Sequence, residues 1–524
     1  MSGDRRSEPH THARTASLVS LGCKVNQGEL RQWSVSLARV GVTLVGPGET
    51  ADLAIINTCT VTGEGDKSSR QAIRHAARSS PDGYLVVTGC YASVDPAAVA
   101  AIDGVDLVAA NDDKEQIVQR LADAGLVAPA PIEPETWQHR SERPDWITRM
   151  PALERKARAF VKVQDGCNSH CTYCIVPKAR GPQRSRPIQA IVDEVKLLYG
   201  LGYREAVLTG VQIGAYGSDW DRERRRVRAG SGPSLTDLVA RVLAETPIPR
   251  IRISSIQPQD WPDGFLDLWH DPRMCRHLHL PLQSGSDSVL RRMVRRYRTA
   301  DFRALVERVR GMLPEVAITA DVMVGFPGET AEEHAESLAF IRDVAFAEQH
   351  IFRYSARPGT AAARLADDVP PAVKKQRSEE AHLLDGELRR AYRGQFIGRI
   401  MDVLWEDEVN HRRPARPGIP LLGQPGSDGL RLSPGEGRGA EAEAGPGECD
   451  ILSPGDVKPL WSGLTDNYLR VVASGIEHEG QITPVRLHRL VGDTIEGEIT
   501  WTNASFAASS EELSPPRSST RMIK

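Results

Sequence analysis

Two groups of cysteines in this sequence have the residue type and spacing to bind iron–sulfur clusters. The first group, here called the first triad, is Cys167, Cys171 and Cys174 in the segment FVKVQDGCNSHCTYCIVP. Thiolates are soft ligands that favour iron–sulfur clusters or zinc, and three of them on one loop can bind three irons of a four-iron cluster. A structural zinc takes four ligands, and neither a fourth cysteine nor a suitably spaced histidine follows. The spacing therefore favours a cluster with one open iron, and a three-cysteine zinc site is the alternative.

The second group, here called the second triad, is dispersed in the sequence but follows one pattern. Cys23, Cys59 and Cys90 each end a short run rich in Val, Ile and Leu that predicts a β-strand, namely LVSLGC, ADLAIINTC and YLVVTGC. The carboxyl ends of parallel strands share one edge of a sheet, so the three loops can converge there. They could bind a second cluster, and three buried core cysteines are the alternative. Cys275 and Cys449 have no partners at ligand spacing and receive no role.

The elements that must position these cysteines predict an α/β protein in three parts. Strand-like and helix-like segments alternate over residues 17–126, which predicts a small parallel α/β domain. The alternation resumes with about six units over residues 153–388, which predicts a partial (β/α) barrel with its chemistry on the loops after the strands. Residues 389–502 contain several short strand-like runs and predict a small all-β domain.

Four segments are predicted to lie outside the packed domains. Residues 1–16 and 503–524 lack a periodic apolar pattern and predict disordered tails. Residues 127–152 are rich in proline and predict a linker. Residues 406–458 are dominated by Gly, Pro, Glu and Arg, which is typical of a disordered insertion, here within the third domain.

The composition excludes some classes of protein. The 524 residues are 40% hydrophobic, which is enough for about three domains with their own cores. No run approaches the roughly 18 apolar residues of a membrane span, and the N-terminus has no apolar signal core, so we expect a cytoplasmic protein without membrane contact. In that reducing compartment cysteines serve as ligands or nucleophiles rather than in disulfides. The net charge of −3 provides no overall basic field that would indicate a nucleic-acid partner.

Several sequence words resemble the methylthiotransferases of the radical S-adenosylmethionine (SAM) superfamily. The spacing of the first triad, with the aromatic Tyr173 before its last cysteine, is similar to that superfamily. The words that resemble the methylthiotransferases are SLGCKVNQGE (20–29), INTCTVT (56–62), GDKSSRQAIR (65–74), TGCYA (88–92), PKARG (177–181), LPLQSGSDSVLRRMVRRY (280–297), DVMVGFPGET (321–330), FRYSARPGTAAA (352–363), GLTDNYLRV (463–471) and GQITPVRL (480–487). The resemblance covers nearly the whole chain from 17 to 500, apart from the linker and the insertion.

This resemblance implies two 4Fe-4S clusters and SAM as cofactors. Members of the family have an N-terminal cluster domain, a radical-SAM barrel and a C-terminal TRAM β domain. The cluster on the first triad would cleave SAM to a 5′-deoxyadenosyl radical, which removes hydrogen from carbon 2 of an adenine. The cluster on the second triad would present a sulfur that a second SAM methylates, and the methylthio group would pass to the base. The protein would orient these groups and exclude water.

The words beside the cysteines distinguish three branches of this family. Two branches modify a tRNA purine just 3′ of the anticodon, and one modifies an aspartate of a ribosomal protein. KVNQ after Cys23 and TVT after Cys59 resemble the MtaB branch, which acts on N6-threonylcarbamoyladenosine. The isopentenyladenosine branch usually has a QMN-like word there, and the ribosomal branch a KN-VDSE word. The resemblance therefore implies the anticodon arm of tRNA as partner, with an electron donor such as flavodoxin or ferredoxin and an unidentified sulfur donor.

Four further residues are candidates for binding SAM. Tyr173 belongs to the first-triad motif, and Gly210 and Gln212 follow a predicted strand in TGVQIGAYG. Gly210 equally suits a tight turn between strand and helix. Gln257 lies in SSIQP, where the family usually has a glutamate, and a glutamine binds a cationic amino group more weakly than a carboxylate does. Because of this departure, the alternative to an active enzyme is a catalytically impaired relative that binds tRNA.

Two basic runs are candidates for contact with RNA phosphates. Arg222–Arg228 is predicted in a loop and Arg291–Arg298 on a helix, and a solvated surface is the alternative for each. Tyr297 is predicted to be packed rather than stacked on a base. The TRAM-like stretch 459–501 has more acidic than basic residues. Its assignment to tRNA binding therefore rests on resemblance alone.

Overall fold

The protein is described by a computed structural model over residues 12–129, 145–150, 157–220, 232–409, 459–476 and 479–500. These residues form a parallel α/β sheet, a partial barrel of parallel strands with helices, and a small closed β-barrel, in that order along the chain. The predicted α/β fold class with a C-terminal all-β domain is confirmed. None of the described helices has the length and hydropathy needed to cross a membrane.

The N-terminal domain is a five-stranded parallel sheet of order β2-β1-β3-β4-β5 with helices on both faces. Its central strands are buried on both sides, which is why they are continuous apolar runs rather than alternating ones. The strands are β1 Thr15–Ser20, β2 Thr43–Val45, β3 Leu53–Thr58, β4 Tyr84–Gly89 and β5 Leu107–Ala109. The helices are α1 Lys24–Arg39, α2 Gly63–Ser79, α3 Cys90–Val94, α4 Pro96–Ala100 and α5 Ile117–Asp123.

Two segment boundaries in this region differ from the sequence-based prediction. Strand β1 begins at Thr15, inside the predicted tail 1–16, because the Asp52 carboxylate accepts hydrogen bonds from the backbone N–H groups of Arg14 and Thr15 at 2.8 and 3.0 Å. The end of the predicted linker 127–152 is packed rather than free, since Trp146 and its neighbours Ile147 and Met150 are buried in the N-terminal core. Residues 1–11 and 130–144 lie outside the described residues.

The central domain contains six parallel strands that form an open barrel. Two three-stranded sheets, β10-β9-β6 and β11-β12-β13, are joined by bridges between Ile251 and Met274 and between Ser255 and His279. The six strands are β6 Arg158–Lys162, β9 Glu205–Thr209, β10 Arg250–Ile253, β11 His277–His279, β12 Ala317–Val324 and β13 Glu348–Arg353. A separate antiparallel pair is formed by β7 Gln164–Asp165 and β8 Arg184–Ser185. The helices of the central domain are α6 Val176–Arg180, α7 Ile188–Gly200, α8 Leu235–Glu245, α9 Asp287–Arg292, α10 Thr299–Met312, α11 Ala331–Val344 and α12 Pro371–Gly394.

The C-terminal domain is a closed five-stranded barrel of order β14-β15-β16-β18-β17. Its strands are β14 Ile400–Glu408, β15 Leu460–Thr465, β16 Arg470–Ser474, β17 Ile482–Val491 and β18 Thr494–Ile499. Strand β14 extends into the predicted insertion 406–458, because Glu406 is nearly buried between the guanidinium groups of Arg158 and Arg470. The rest of the insertion, residues 410–458, and the predicted tail 503–524 lie outside the described residues.

Arginines on β10 attach this small barrel to the central domain. Arg250 donates to the carbonyl oxygens of Leu464 and Asp402, both at 2.8 Å. Arg252 donates to Glu205 at 2.7 Å and to the carbonyl oxygen of Asp466 at 3.0 Å. Because these guanidinium groups are buried and paired, the C-terminal domain is fixed to the barrel by directional contacts rather than by a flexible linker.

Candidate functional site

The second triad converges at the carboxyl edge of the N-terminal sheet. Cys23 occupies the N-cap position of α1, while Cys59 and Cys90 follow the last residues of β3 and β4 directly. A Cβ on Gly22 would lie 2.6 Å from the Cys59 Sγ, so only glycine lets the Cys23 loop approach this closely. Burial, together with the neighbouring Cys90 and Cys23, raises the pKa of the Cys59 thiol to about 12.

Polar side chains hold the loops of Cys23 and Cys59 in place. The Asn26 amide donates to the carbonyl oxygens of Leu21 and Thr58 at 2.7 and 3.1 Å, which connects the loops of Cys23 and Cys59. The Ser69 hydroxyl donates to the Cys59 carbonyl oxygen at 2.8 Å and accepts from its backbone N–H at 3.1 Å. These contacts fix the loop geometry before any ligand is bound.

The first triad lies in the loop that follows β6 and β7. The Cys167 thiol donates to the Gln212 Oε1 at 3.1 Å, and its sulfur accepts the backbone N–H of Ser169 at 3.3 Å. The Cys171 sulfur accepts a hydrogen bond from Arg295 at 3.2 Å. Burial, together with the neighbouring Cys171 and Cys167, raises the pKa of the Cys174 thiol to about 12. A backbone hydrogen bond from Val176 acts in the opposite direction.

The other residues predicted to bind SAM surround the first triad. Gln212 is 5% exposed and links the Cys167 thiol to Asp260, to which its amide donates at 2.8 Å. Gly210 lies against Gln164, whose Oε1 would be 2.9 Å from an added Cβ, so packing alone accounts for this glycine. Gln257 accepts a hydrogen bond from Arg295. The Tyr173 ring packs against an apolar cluster of Val289, Met293, Phe326, Tyr354 and Ala362.

Arg295 is a site residue that the sequence did not identify. The basic run Arg291–Arg298 was predicted on one helix, but α9 ends at Arg292 and Val294 has a left-handed φ of 58°. This turn directs Arg295 inward, where it is 6% exposed and contacts both Cys171 and Gln257. Tyr297 is buried, as predicted. The other basic run, Arg222–Arg228, lies outside the described residues.

A buried ionic network positions the two triads relative to each other. Glu29 on α1 contacts Lys114 at 2.6 Å, Arg180 at 3.1 Å and Lys162 at 3.4 Å. Arg180, at the end of the helix after the first triad, also binds Asp165 at 2.7 Å and donates to Asn26 in the Cys23 loop. Burial opposes ionisation of Glu29, but the cations Lys114, Arg180 and Lys162 lower its pKa well below the usual value. The network therefore joins the N-terminal domain to the barrel at the site.

Replacing Arg180 by methionine is expected to destabilise the junction of the first two domains. The change leaves Glu29 and Asp165 buried with too few cations, which costs about 3–5 kcal/mol of unfolding free energy. The matched control is Arg184→Met, because Arg184 pairs with Asp112 on the surface at 2.9 Å, where a pair contributes about 1 kcal/mol or less. Urea denaturation followed by tryptophan fluorescence measures both variants. Equal destabilisation by the two substitutions would contradict this expectation.

Comparison with known proteins agrees with this arrangement. Residues 161–341 match the family described as the Radical SAM superfamily, and residues 15–110 match the one described as Uncharacterized protein family UPF0004. The chain is 38% identical over 395 residues to threonylcarbamoyladenosine tRNA methylthiotransferase MtaB of Bacillus subtilis (strain 168), covering 75% of this chain and 85% of the relative. It is 34% identical over 397 residues to the Thermotoga maritima protein of the same name, covering 75% and 87%.

A relative with a different substrate in its name and one solved structure are also similar. The chain is 32% identical over 397 residues to tRNA-2-methylthio-N(6)-dimethylallyladenosine synthase of Syntrophotalea carbinolica, covering 74% of this chain and 87% of the relative. The structure of the radical SAM methyltransferase TsrM from Kitasatospora setae matches with a TM-score of 0.42 and 16% identity, covering 67% of this chain and 77% of TsrM. The extent and identity of the curated matches show that the chain belongs to the methylthiotransferases of the radical SAM superfamily.

Proposed function

We propose that this protein inserts a methylthio group at carbon 2 of N6-threonylcarbamoyladenosine next to the anticodon of tRNA. The observation that carries the proposal is the 38% identity to the Bacillus subtilis enzyme whose name states this substrate. The words KVNQ after Cys23 and TVT after Cys59 support the same branch. The protein would act in the cytoplasm, where tRNA is modified, and would receive electrons from a donor such as flavodoxin or ferredoxin.

The first triad fits a 4Fe-4S cluster in its ligand chemistry and its charge. A cluster with three thiolate ligands is anionic, and a buried cation needs a counter-charge. Arg295 is such a cation: it donates to the Cys171 sulfur at 3.2 Å, and no carboxylate of the described residues lies at ion-pair distance from it. We therefore assign Cys167, Cys171 and Cys174 as ligands and Arg295 as the compensating charge.

The number of thiolates in each triad favours a cluster over a single zinc ion. A structural zinc takes four protein ligands, whereas three thiolates bind three irons of a four-iron cluster and leave the fourth iron open. For the second triad the ligands would be Cys23, Cys59 and Cys90, with Arg180 supplying nearby positive charge.

When bound, the two clusters and SAM supply the radical and the sulfur that the reaction needs. The side chains of this protein orient these groups. Gln212 presents its amide oxygen beside Cys167, which suits it to the ammonium group of SAM, while the Gln257 oxygen accepts a hydrogen bond from Arg295 and orients that guanidinium group. The Glu29–Arg180 network holds the second triad at a fixed position from the first, so that the base meets both groups in one orientation.

Replacing Gln257 by glutamate is expected to lower the reduction potential of the cluster on the first triad. The new carboxylate would pair with Arg295 and neutralise the positive charge beside Cys171, which disfavours addition of an electron by on the order of 50 mV. A redox titration followed by electron paramagnetic resonance measures the potential. The exposed Gln189→Glu variant controls for net charge and should leave it unchanged. An unchanged reduction potential in Gln257→Glu would contradict the assignment of Arg295 as the charge that compensates the cluster.

The test of the proposed function is mass spectrometry of nucleosides from total tRNA of a host that lacks its own enzyme. Expression of this protein should produce 2-methylthio-N6-threonylcarbamoyladenosine. The second candidate substrate is dimethylallyladenosine, because a relative with that name is 32% identical. Detection of the methylthio product of this base would support the proposed reaction but would show that the assigned substrate is wrong. Absence of both products, with both clusters assembled, would instead support a ribosomal-protein substrate or an impaired tRNA-binding protein.

A further inference from the structure

A cluster of ionisable side chains lies in the barrel outside both cysteine triads. His279, Asp321 and His350 occupy the adjacent strands β11, β12 and β13, and their ligand atoms lie within 4.8 Å of one another. The Asp321 carboxylate is 3.3 Å from His279 Nε2 on one side and 3.3 Å from His350 Nδ1 on the other. The cluster therefore has a carboxylate at its centre and an imidazole on each side.

The two histidines have different surroundings. The His279 side chain is only 4% exposed, and its Nδ1 hydrogen-bonds to the Thr319 hydroxyl at 2.9 Å. Burial lowers the pKa of His279 in spite of the nearby Asp321 carboxylate, so this imidazole is neutral and fixed. The His350 side chain is 36% exposed, and Asp321 contacts its Nδ1. The cluster consequently presents one oriented imidazole edge, the His350 Nε2, away from the carboxylate.

Lys24 approaches this cluster from the N-terminal domain. It follows Cys23 at the start of α1, in the loop that the Asn26 amide connects to the Cys59 loop. The Cys59 loop in turn lies on the segment that follows β13, because Arg357 donates to the Thr60 hydroxyl and the Asp66 carboxylate, both at 2.6 Å. The positive charge of Lys24 also adds to the burial that lowers the pKa of His279. Lys24 is half-buried and forms no ion pair or hydrogen bond with any residue in the described part of the chain. A half-buried ammonium group without a partner is a candidate anion-binding group.

The substrates named for the relatives differ in charge at one position. The threonylcarbamoyl substituent uses the amino group of threonine in its carbamoyl link, which leaves a free carboxylate and a free hydroxyl. The dimethylallyl substituent is a hydrocarbon. In the adenine ring, N1 lies between carbon 2 and carbon 6, and carbon 6 carries the N6 substituent. The groups that recognise the substituent therefore have to lie beside the groups that deliver sulfur to carbon 2, and Lys24 adjoins Cys23.

We propose that Lys24 and His350 form the subsite that recognises the threonylcarbamoyl substituent of the base, an inference that rests on the proposed function. Lys24 binds the substituent's carboxylate, and His350, oriented by Asp321, hydrogen-bonds to its hydroxyl group. Asp321 and His279 are positioning residues that do not touch the substrate. The subsite discriminates against a hydrocarbon substituent, because such a group would cover the half-buried ammonium group of Lys24 without supplying an anionic partner.

The experiment compares Lys24→Met with the wild type on two tRNAs, one with threonylcarbamoyladenosine and one with dimethylallyladenosine. Loss of one charged hydrogen bond should lower kcat/KM for the first tRNA about tenfold to a hundredfold, mainly through KM. The rate with the second tRNA should be unchanged or higher. Iron content, 5′-deoxyadenosine formation without substrate, and the Kd for tRNA with plain adenosine should equal those of the wild type. Lys67→Met, at an exposed lysine on α2, is the matched control.

His350→Asn and His350→Ala provide a second measurement. Asparagine can still hydrogen-bond to a hydroxyl group, so it should retain more activity on threonylcarbamoyladenosine than alanine does. An unchanged kcat/KM in Lys24→Met would overturn the proposal while leaving the proposed function intact. If the wild type modifies only dimethylallyladenosine, both are wrong. One equivalent of zinc that is lost in His350→Ala would identify the cluster as a metal site and would also overturn the proposal.

Discussion

Replacing Cys167 by alanine is expected to abolish both SAM cleavage and methylthio transfer, to below about 0.1% of the wild-type rates. With two thiolates left, the first triad cannot hold a cube with a single open iron. Iron content should fall from about eight to about four atoms per chain. The readouts are 5′-deoxyadenosine from reduced, reconstituted enzyme and iron analysis of the same sample.

Cys275→Ala is the matched control for this first prediction. Cys275 is also buried, but it lies outside both triads, with its sulfur 3.7 Å from the Glu205 carboxylate. The control should keep about eight irons and the wild-type rate of 5′-deoxyadenosine formation. If Cys167→Ala still cleaved SAM, or if Cys275→Ala lost iron to the same extent, the first triad would not be the SAM-binding centre.

Replacing Cys59 by alanine is expected to separate the two halves of the reaction. The second triad would lose its cluster, so methylthio product should fall below about 0.1% of wild type, while 5′-deoxyadenosine formation stays within about threefold. The physical reason is that the first triad and its contacts with Gln212 and Arg295 do not include Cys59. Nucleoside mass spectrometry and chromatography of 5′-deoxyadenosine measure the two halves in one sample.

The Cys59 variant also tests the structural alternative for the second triad. Cys59 is 6% exposed and packs in the core with Leu21 and Ile56, so its loss costs some stability whatever its role. Cys59→Ser keeps the volume and is the second variant to examine. If either folded variant still made the methylthio product with about four irons lost, the sulfur would have to come from elsewhere. If neither lost iron, the second triad would not bind a cluster, and Cys59 and Cys90 would be ordinary core cysteines while Cys23 is exposed.

The C-terminal domain illustrates how far local patterns define a fold. Its strands were predicted from short alternating runs, and the structure closes them into a five-stranded barrel. Part of the acidic excess of the stretch 459–501 serves the contact between domains rather than the free surface, because Asp466 and Asp493 bind Arg276 and Arg393 of the central domain. A charge count along the sequence cannot separate such internal pairs from a free surface.

The sequence by itself determined the three-part α/β architecture, the two cysteine groups and the family. These features depend on local information: strand runs that end at a cysteine, the spacing within one loop, and words of a few residues. It also identified Gln257 as a departure from the family pattern, although not the cation that this residue contacts.

Only the tertiary structure decided which charged groups serve the site. A left-handed turn at Val294 directs Arg295 to Cys171, while Arg291 and Arg296 of the same basic run are exposed. The Glu29–Arg180 and Thr60–Arg357 contacts join residues that are more than a hundred positions apart. Such pairings depend on how the N-terminal domain packs on the barrel, and no local periodicity or spacing records that packing. The physical reason is that burial and partner choice are set by long-range contacts, which one sequence does not reveal.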